Sequence, residues 1–243
     1  MGQDVPTGAL TEAPSPREAP AGSRRPVSTA REYVEVVLVA VVFALFVRTF
    51  LVQAFVVPTP SMENTVLVGD HLVVNKFIFA PHLWGRLLPY RELKRGDVFV
   101  FKFPEDPQRD FIKRAIALPG DVLEIHDKVV YVNGEKSPDT RAIHAESRIW
   151  PDDRELPEAL RRRDQLAPMR IGADSCFALG DNRDSSYDSR FWGPVPASNV
   201  KGRALFIYWS LAPPALAKST GFAAPLKDLL QRTRWSRTFL AVR

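Results

Sequence analysis

With 243 residues, 45% of them hydrophobic, the chain is long enough to bury a sizeable core, which excludes a wholly disordered or fibrous class. A single cysteine, Cys176, and four scattered histidines exclude an intrachain disulfide and a clustered metal site. Lys and Arg total 33 against 28 Asp and Glu, and the excess sits at the two ends: Arg17, Arg24, Arg25 and Arg31, then Lys227, Arg232, Arg234, Arg237 and Arg243. Charge so placed suits an anionic membrane surface better than a nucleic-acid groove.

The first 29 residues hold five prolines among Ala, Ser, Gly and charged residues, with no apolar period, and read as part of a disordered leader over 1–32. At Tyr33 the composition turns to YVEVVLVAVVFALFVRTFLVQAFVVP. Its uncharged heart, 36–47, has the length of a buried core helix, but Tyr33 to Val52 is twenty residues, about 30 Å of helix, which matches a hydrocarbon core. The expectation is a transmembrane helix over 33–54, with Glu35 at one interface and Arg48 snorkelling towards the other. Four arginines precede the span and no basic residue follows Arg48 until Lys76, so the N-terminus is expected in the cytoplasm and the remainder outside. A cleaved secretory peptide fits less well, because the leader is long and no small-x-small site follows the apolar run.

Beyond Pro58 the pattern becomes that of strands. DVFVFKFP (97–104), DFIKRAIALPGD (110–121), DVLEIH (121–126) and KVVYVNGE (128–135) are short, rich in Val, Ile and Phe, and punctuated by Pro-Gly, Gly-Asp and Asn-Gly turns. The highly charged stretch 136–170 reads as an exposed insertion that divides the β-rich part into two lobes. The expected organisation is a catalytic β domain over 55–121 and 175–212, an inserted second β domain over 122–174, and a basic extension over 213–243.

Three clusters concentrate chemistry-bearing residues. In VVPTPSMENTVLVGD (56–70), Ser61 lies between Pro60 and Met62 without a Gly-x-Ser-x-Gly elbow, a Ser-x-x-Lys motif or an oriented histidine; a nucleophile and a turn serine both fit. In DFIKRAIALPGD, strand alternation puts Phe111, Lys113, Ala115 and Ala117 on one face and Ile112, Arg114, Ile116 and Leu118 on the other. Lys113 among small or apolar side chains is placed for a desolvated amine of lowered pKa, the requirement for a general base, although an edge-strand lysine gives the same pattern. In GDNRDSSYDSRFWGPVP (180–196), Asp188 and Arg190 can pair in bidentate fashion and Ser186 can hold a neutral lysine amine. The carboxylate spacing there does not fit an EF-hand.

Taken in order along 33–208, these motifs resemble the bacterial type I signal peptidases. The resemblance implies a mainly β fold, a catalytic β lobe with a smaller inserted β domain behind one N-terminal transmembrane helix. It also implies a Ser-Lys dyad serine endopeptidase with Ser61 as nucleophile and Lys113 as general base. On the same footing, Ser186 hydrogen-bonds the lysine, Asp188 and Arg190 form a supporting ion pair, and the Ser61 N–H and the Thr59 hydroxyl form the oxyanion site. Pro60, where glycine is frequent in the family, removes a different N–H. Phe55, Val57, Met62, Phe111 and Ile112 would line substrate pockets suited to small residues, as in an Ala-x-Ala cleavage site. No cofactor or metal is implied. The implied partners are signal peptides of exported precursors and membrane lipid, with a functional link to the secretion translocon, no nucleic acid, and a monomeric enzyme in the cytoplasmic membrane. Two rivals remain: a soluble self-cleaving repressor-type Ser-Lys peptidase, and a membrane-anchored β protein without activity.

Overall fold

The computed structural model describes residues 29–76, 78–79, 91–157, 160–213 and 224–243. The chain forms two compact units, 1–42 and 43–243. Most of the expected leader, 1–28, lies outside the described residues, and its last four residues already belong to helix α1 (Thr29–Phe46). No glycine or proline interrupts the sequence from Thr29 to Val57, so nothing breaks the helix early. Its apolar side chains are exposed on all sides, Tyr33, Leu38 and Phe43 among them. Arg31, Glu32 and Glu35 lie in its first two turns. Among the described residues no helix is long and apolar enough to cross a membrane.

The helix also stops short of the expected 54. A π-helical turn, Val47–Leu51, follows it, and strand β1 (Val52–Val56) begins three residues inside the range read as helix. The cause is tertiary: β1 pairs with β2 (Asp70–Asn75) from Val52↔Asn75 to Val56↔His71, and a continuous apolar run does not distinguish helix from buried strand.

In chain order the remaining strands are β3 (Val98–Lys102), β4 (Asp110–Ala117), β5 (Val122–His126), β6 (Val129–Val132), β7 (Glu135–Lys136), β8 (Leu166–Arg170), β9 (Ser175–Leu179), β10 (Val195–Pro196) and β11 (Val200–Ser210). They form an antiparallel seven-stranded sheet, order β1-β2-β11-β3-β4-β9-β10, and a four-stranded sheet, β7-β6-β5-β8. The observed fold is thus mainly β. The smaller sheet falls within 122–174, and Asn133-Gly134, both at positive φ, makes the turn between β6 and β7.

Strand β4 is the organising element, because its two faces serve different cores. Ile112 packs with Val57, Met62 and Leu72, whereas Ala115 packs with Phe99, Phe101 and Val195 and has Phe111 beside it. The alternation expected from the sequence ends at a bulge in the β4–β9 pairing between Ala115 and Ala117. Beyond it Ile116 and Ala117, expected on opposite faces, enter one cluster with Leu123, Ile125 and Phe177. The smaller sheet therefore shares its core with the ends of β4 and β9.

Within the C-terminal extension, 214–223 lies outside the described residues, and 224–243 is built into the larger sheet. Helix α3 (Ala224–Arg232) is followed by bridges Leu211↔Thr233 and Phe206↔Ala241, and Val242 is buried in the core that holds Val57 and Met62. Arg237 Nη2 donates to Asp70 Oδ2 at 2.7 Å, and Arg234 Nη2 to the Val68 carbonyl at 2.5 Å. These two charges hold the segment that leads into β2.

Candidate active site

The Ser61 stretch folds as a short 3-10 turn, Pro60–Met62, with Pro60 at its first position. Proline suits that position because its fixed φ matches the helix and the missing N–H would have no intrahelical partner there. The turn closes with Glu63 N donating to the Pro60 carbonyl at 2.9 Å, and Met62, wholly buried, anchors it in the core. The backbone is fixed a second time from the other side, where Asn182 N donates to the Ser61 carbonyl at 3.1 Å.

Strand β4 brings Lys113 to the same place. The register Phe99↔Lys113 sets its side chain opposite Ile112, and Lys113 Nζ donates to Ser61 Oγ at 2.7 Å. Both residues are only 4% exposed. Burial is the largest influence on the amine and pushes its pKa down to about 8; Asp188 opposes the shift and Arg190 reinforces it. The Phe111 ring stands 5.5 Å from Nζ. An amine in this setting can accept a proton near neutrality, and the oxygen it would take it from is in contact.

Thr59 Oγ1 is 3.5 Å from Ser61 Oγ. Asp188 and Arg190, expected as a pair, meet through Nε–Oδ1 at 2.8 Å and Nη2–Oδ2 at 2.9 Å, both fully buried. Asp188 also caps the four-residue helix α2 (Ser189–Trp192) and accepts Gly180 N at 3.0 Å. Burial is the largest single influence and would raise its carboxyl, but Arg190, the Gly180 amide and Ser186 together hold it below the ordinary carboxylate range. Ser186 Oγ is buried beside the Asp188 carboxylate, which it helps to stabilise, and the bond to Lys113 that the resemblance implies is not formed here. The lysine amine bonds Ser61 instead.

A cleft of about 580 Å³ opens over the pair. Of the five expected pocket residues, Phe55, Phe111 and Ile112 line it. Val57 and Met62 do not; they are 1% and 0% exposed in the core beneath, Met62 at the end of the 3-10 turn and Val57 just after β1, where its backbone bonds Gly69 and Asp70. Arg109, Asp110 and Tyr187 line the cleft without having been expected there.

Three further features escaped the motif reading. Gly180 has no room for a side chain: a Cβ would collide with the Ser186 side chain and lie 2.5 Å from the Ser61 carbonyl oxygen. Asn182 supplies the amide that holds that carbonyl. Arg114 forms a buried bidentate pair with Asp181, both contacts at 2.7 Å, and Thr65 Oγ1 bonds the same carboxylate at 2.5 Å. The dense polar composition of 180–188 signalled such a network, but its partners lie far away in sequence.

The sequence model of a family described as "Signal peptidase, peptidase S26" matches residues 30–209. A signal peptidase I of Aquifex aeolicus is 32% identical over 231 residues, covering 76% of this chain and 86% of that protein. One of Pseudomonas aeruginosa is 34% identical over 208 residues, covering 74% and 72%. A crystal structure of a signal peptidase I from Enterococcus faecalis is 27% identical and covers 46% of this chain and 97% of that one, at a TM-score of 0.35. The sequence matches suffice: the chain belongs to the signal peptidase family, peptidase S26, and is a serine hydrolase.

Proposed function

We propose that this enzyme removes N-terminal signal peptides from exported precursor proteins by acyl transfer through a Ser61–Lys113 dyad. The observation that carries the reading is the 2.7 Å bond between two buried groups, one of them an amine with its pKa lowered to about 8. Neutral Lys113 accepts the Ser61 proton as Oγ attacks the scissile carbonyl. The resulting ammonium then protonates the departing amine, leaving an acyl-enzyme on Ser61. The amine, once neutral again, takes a proton from water, which adds to the ester and releases the new carboxylate. The Ser61 N–H and the Thr59 hydroxyl, already beside Oγ, would stabilise the oxyanion, and Asp188–Arg190 would hold the loop behind Lys113. Ser186 would meet the lysine amine after a change of rotamer.

Phe55, Phe111 and Ile112 along the cleft favour small apolar side chains before the cut, as in Ala-x-Ala. The apolar run from Tyr33 up to the start of β1 is proposed as the membrane anchor of a single-pass, monomeric protein, supported by exposed apolar side chains around α1 and by the arginines before it. That places the N-terminus in the cytoplasm and the catalytic domain outside, where precursors leave the translocon. Only eight residues lie between Val52 and Ser61, so an anchored substrate and the nucleophile would share one membrane surface.

The test uses full-length enzyme in vesicles with a precursor carrying an Ala-x-Ala site. Ser61→Ala and Lys113→Ala should each reduce cleavage to background while circular dichroism stays unchanged. Full activity in either variant removes the dyad.

A further inference from the structure

We infer that the charged insertion is a positioning element for the catalytic loop, with Asp184 as its point of attachment and Asn64 as a second, direct tie to the nucleophile turn. The inference rests on the Ser61–Lys113 reading above.

The loop 180–188 carries Gly180, Asn182, Ser186 and Asp188 to the back of the site, and most of what holds it comes from the insertion. Ile143 lies beside Asn182 in a parallel bridge: its N–H donates to the Asp181 carbonyl at 2.8 Å, and its carbonyl accepts Arg183 N at 3.0 Å. The same three residues of loop backbone include the amide that donates to the Ser61 carbonyl. A displacement of 141–146 would thus be passed to the nucleophile through a single peptide unit.

Side chains fix the attachment. Asp184, its carboxylate 2% exposed, accepts Glu146 N at 2.8 Å and Lys128 Nζ at 3.1 Å, with Arg163 Nη2 at 3.8 Å and His144 Nδ1 at 3.9 Å. Lys128 Nζ also donates to the Glu146 carbonyl at 2.7 Å. From the other direction, Arg190 Nη1 donates to the Arg163 carbonyl at 2.8 Å, so the ion pair behind the lysine is itself tied to the insertion. Finally, Asn64 Nδ2 donates to the Arg141 carbonyl at 2.9 Å, three residues after the nucleophile. Buried polar networks of this kind are rigid only when every member is satisfied, which makes one removed charge a sensitive probe.

The experiment compares Asp184→Asn and Asn64→Gly with wild-type enzyme on the same precursor, measuring kcat and KM separately on folded protein, with Tm alongside. Asp184→Asn keeps the side-chain shape and removes the charge that Lys128 and Arg163 face. Asn64 sits at φ 92°, so glycine keeps that backbone and removes only the bond to Arg141. Positioning predicts kcat lower by about 10- to 100-fold in Asp184→Asn and by a smaller factor in Asn64→Gly, with KM unchanged, because small misplacements of reacting groups act on the chemical step. Wild-type kcat in both variants, whether Tm falls or not, or a rise in KM alone, overturns the inference. If Asp184→Asn does not fold, Asn64→Gly decides by the same criterion. Failure of wild-type enzyme to cleave the precursor would instead remove the reading on which this rests.

Discussion

Lys113 and Arg114 are neighbours on one strand, both nearly buried, and they have opposite fates. Arg114 points to the face where Asp181, the Thr65 hydroxyl and the Gly96 carbonyl supply acceptors at 2.7 to 2.8 Å, so its charge is fully compensated. Lys113 points to the face where a neutral serine oxygen and an aromatic ring await it. The carboxylate that acts on it most strongly, Asp188, is already engaged bidentately by Arg190. Burial without a dedicated counter-charge is what lowers the lysine to about 8, while burial with one leaves the arginine a structural cation. Chemistry and scaffolding are thus separated by a single residue and the pleat of a strand.

Exchanging the two kinds of cation breaks the comparison most severely. Lys113→Arg keeps a positive charge, but a guanidinium cannot lose its proton in a protein and so cannot act as the base. Precursor cleavage should fall by a factor on the order of 10⁴ to 10⁶, the range found when one member of a catalytic unit is removed. Residual activity within tenfold of wild type would show that the base lies elsewhere. Arg114→Ala tests the other face. It leaves Asp181 buried without its partner, for which a loss of about 3 to 5 kcal/mol in urea unfolding is expected. An unchanged unfolding midpoint would mean that Asp181 has another source of compensation.

The same contrast explains what the sequence could reveal. Ser61 and Lys113 stood out because local pattern encodes them: a serine fixed by prolines, and a lysine whose alternation placed it among Phe111 and Ala115. Asp188 and Arg190 were legible because both partners lie in one loop, two residues apart. Arg114 and Asp181 were not, since they are 67 positions apart and pairing at that distance is decided by sheet order. Val57 and Met62 were read as pocket residues because apolar character near a nucleophile does not reveal which side chains around it face the core. The end of α1 at Phe46 and the bulge after Ala115 have one cause: strand pairing overrode a periodicity that was ambiguous in the first case and regular in the second.

The smallest of the expected effects is the most specific to the lysine. Its pKa is about 8 in the folded state against an ordinary value of 10.5, so below pH 8 both folded and unfolded chains carry the proton, and the folded state bears the whole cost of a buried ammonium. Between those values the unfolded chain holds a proton that the folded one has released, and wild-type stability rises with pH; above 10.5 the difference is gone. Lys113→Met, similar in shape and uncharged, should therefore be more stable than wild type at pH 7, by up to about 3 kcal/mol, with the advantage shrinking through pH 8 to 10.5. Wild-type kcat/KM should follow the same titration, rising with pH through about 8 as the neutral amine becomes the major form. Parallel stability curves for Lys113→Met and wild type, or an acid limb far below pH 8, would mean that a charge on Lys113 is compensated after all, and the distinction from Arg114 would collapse.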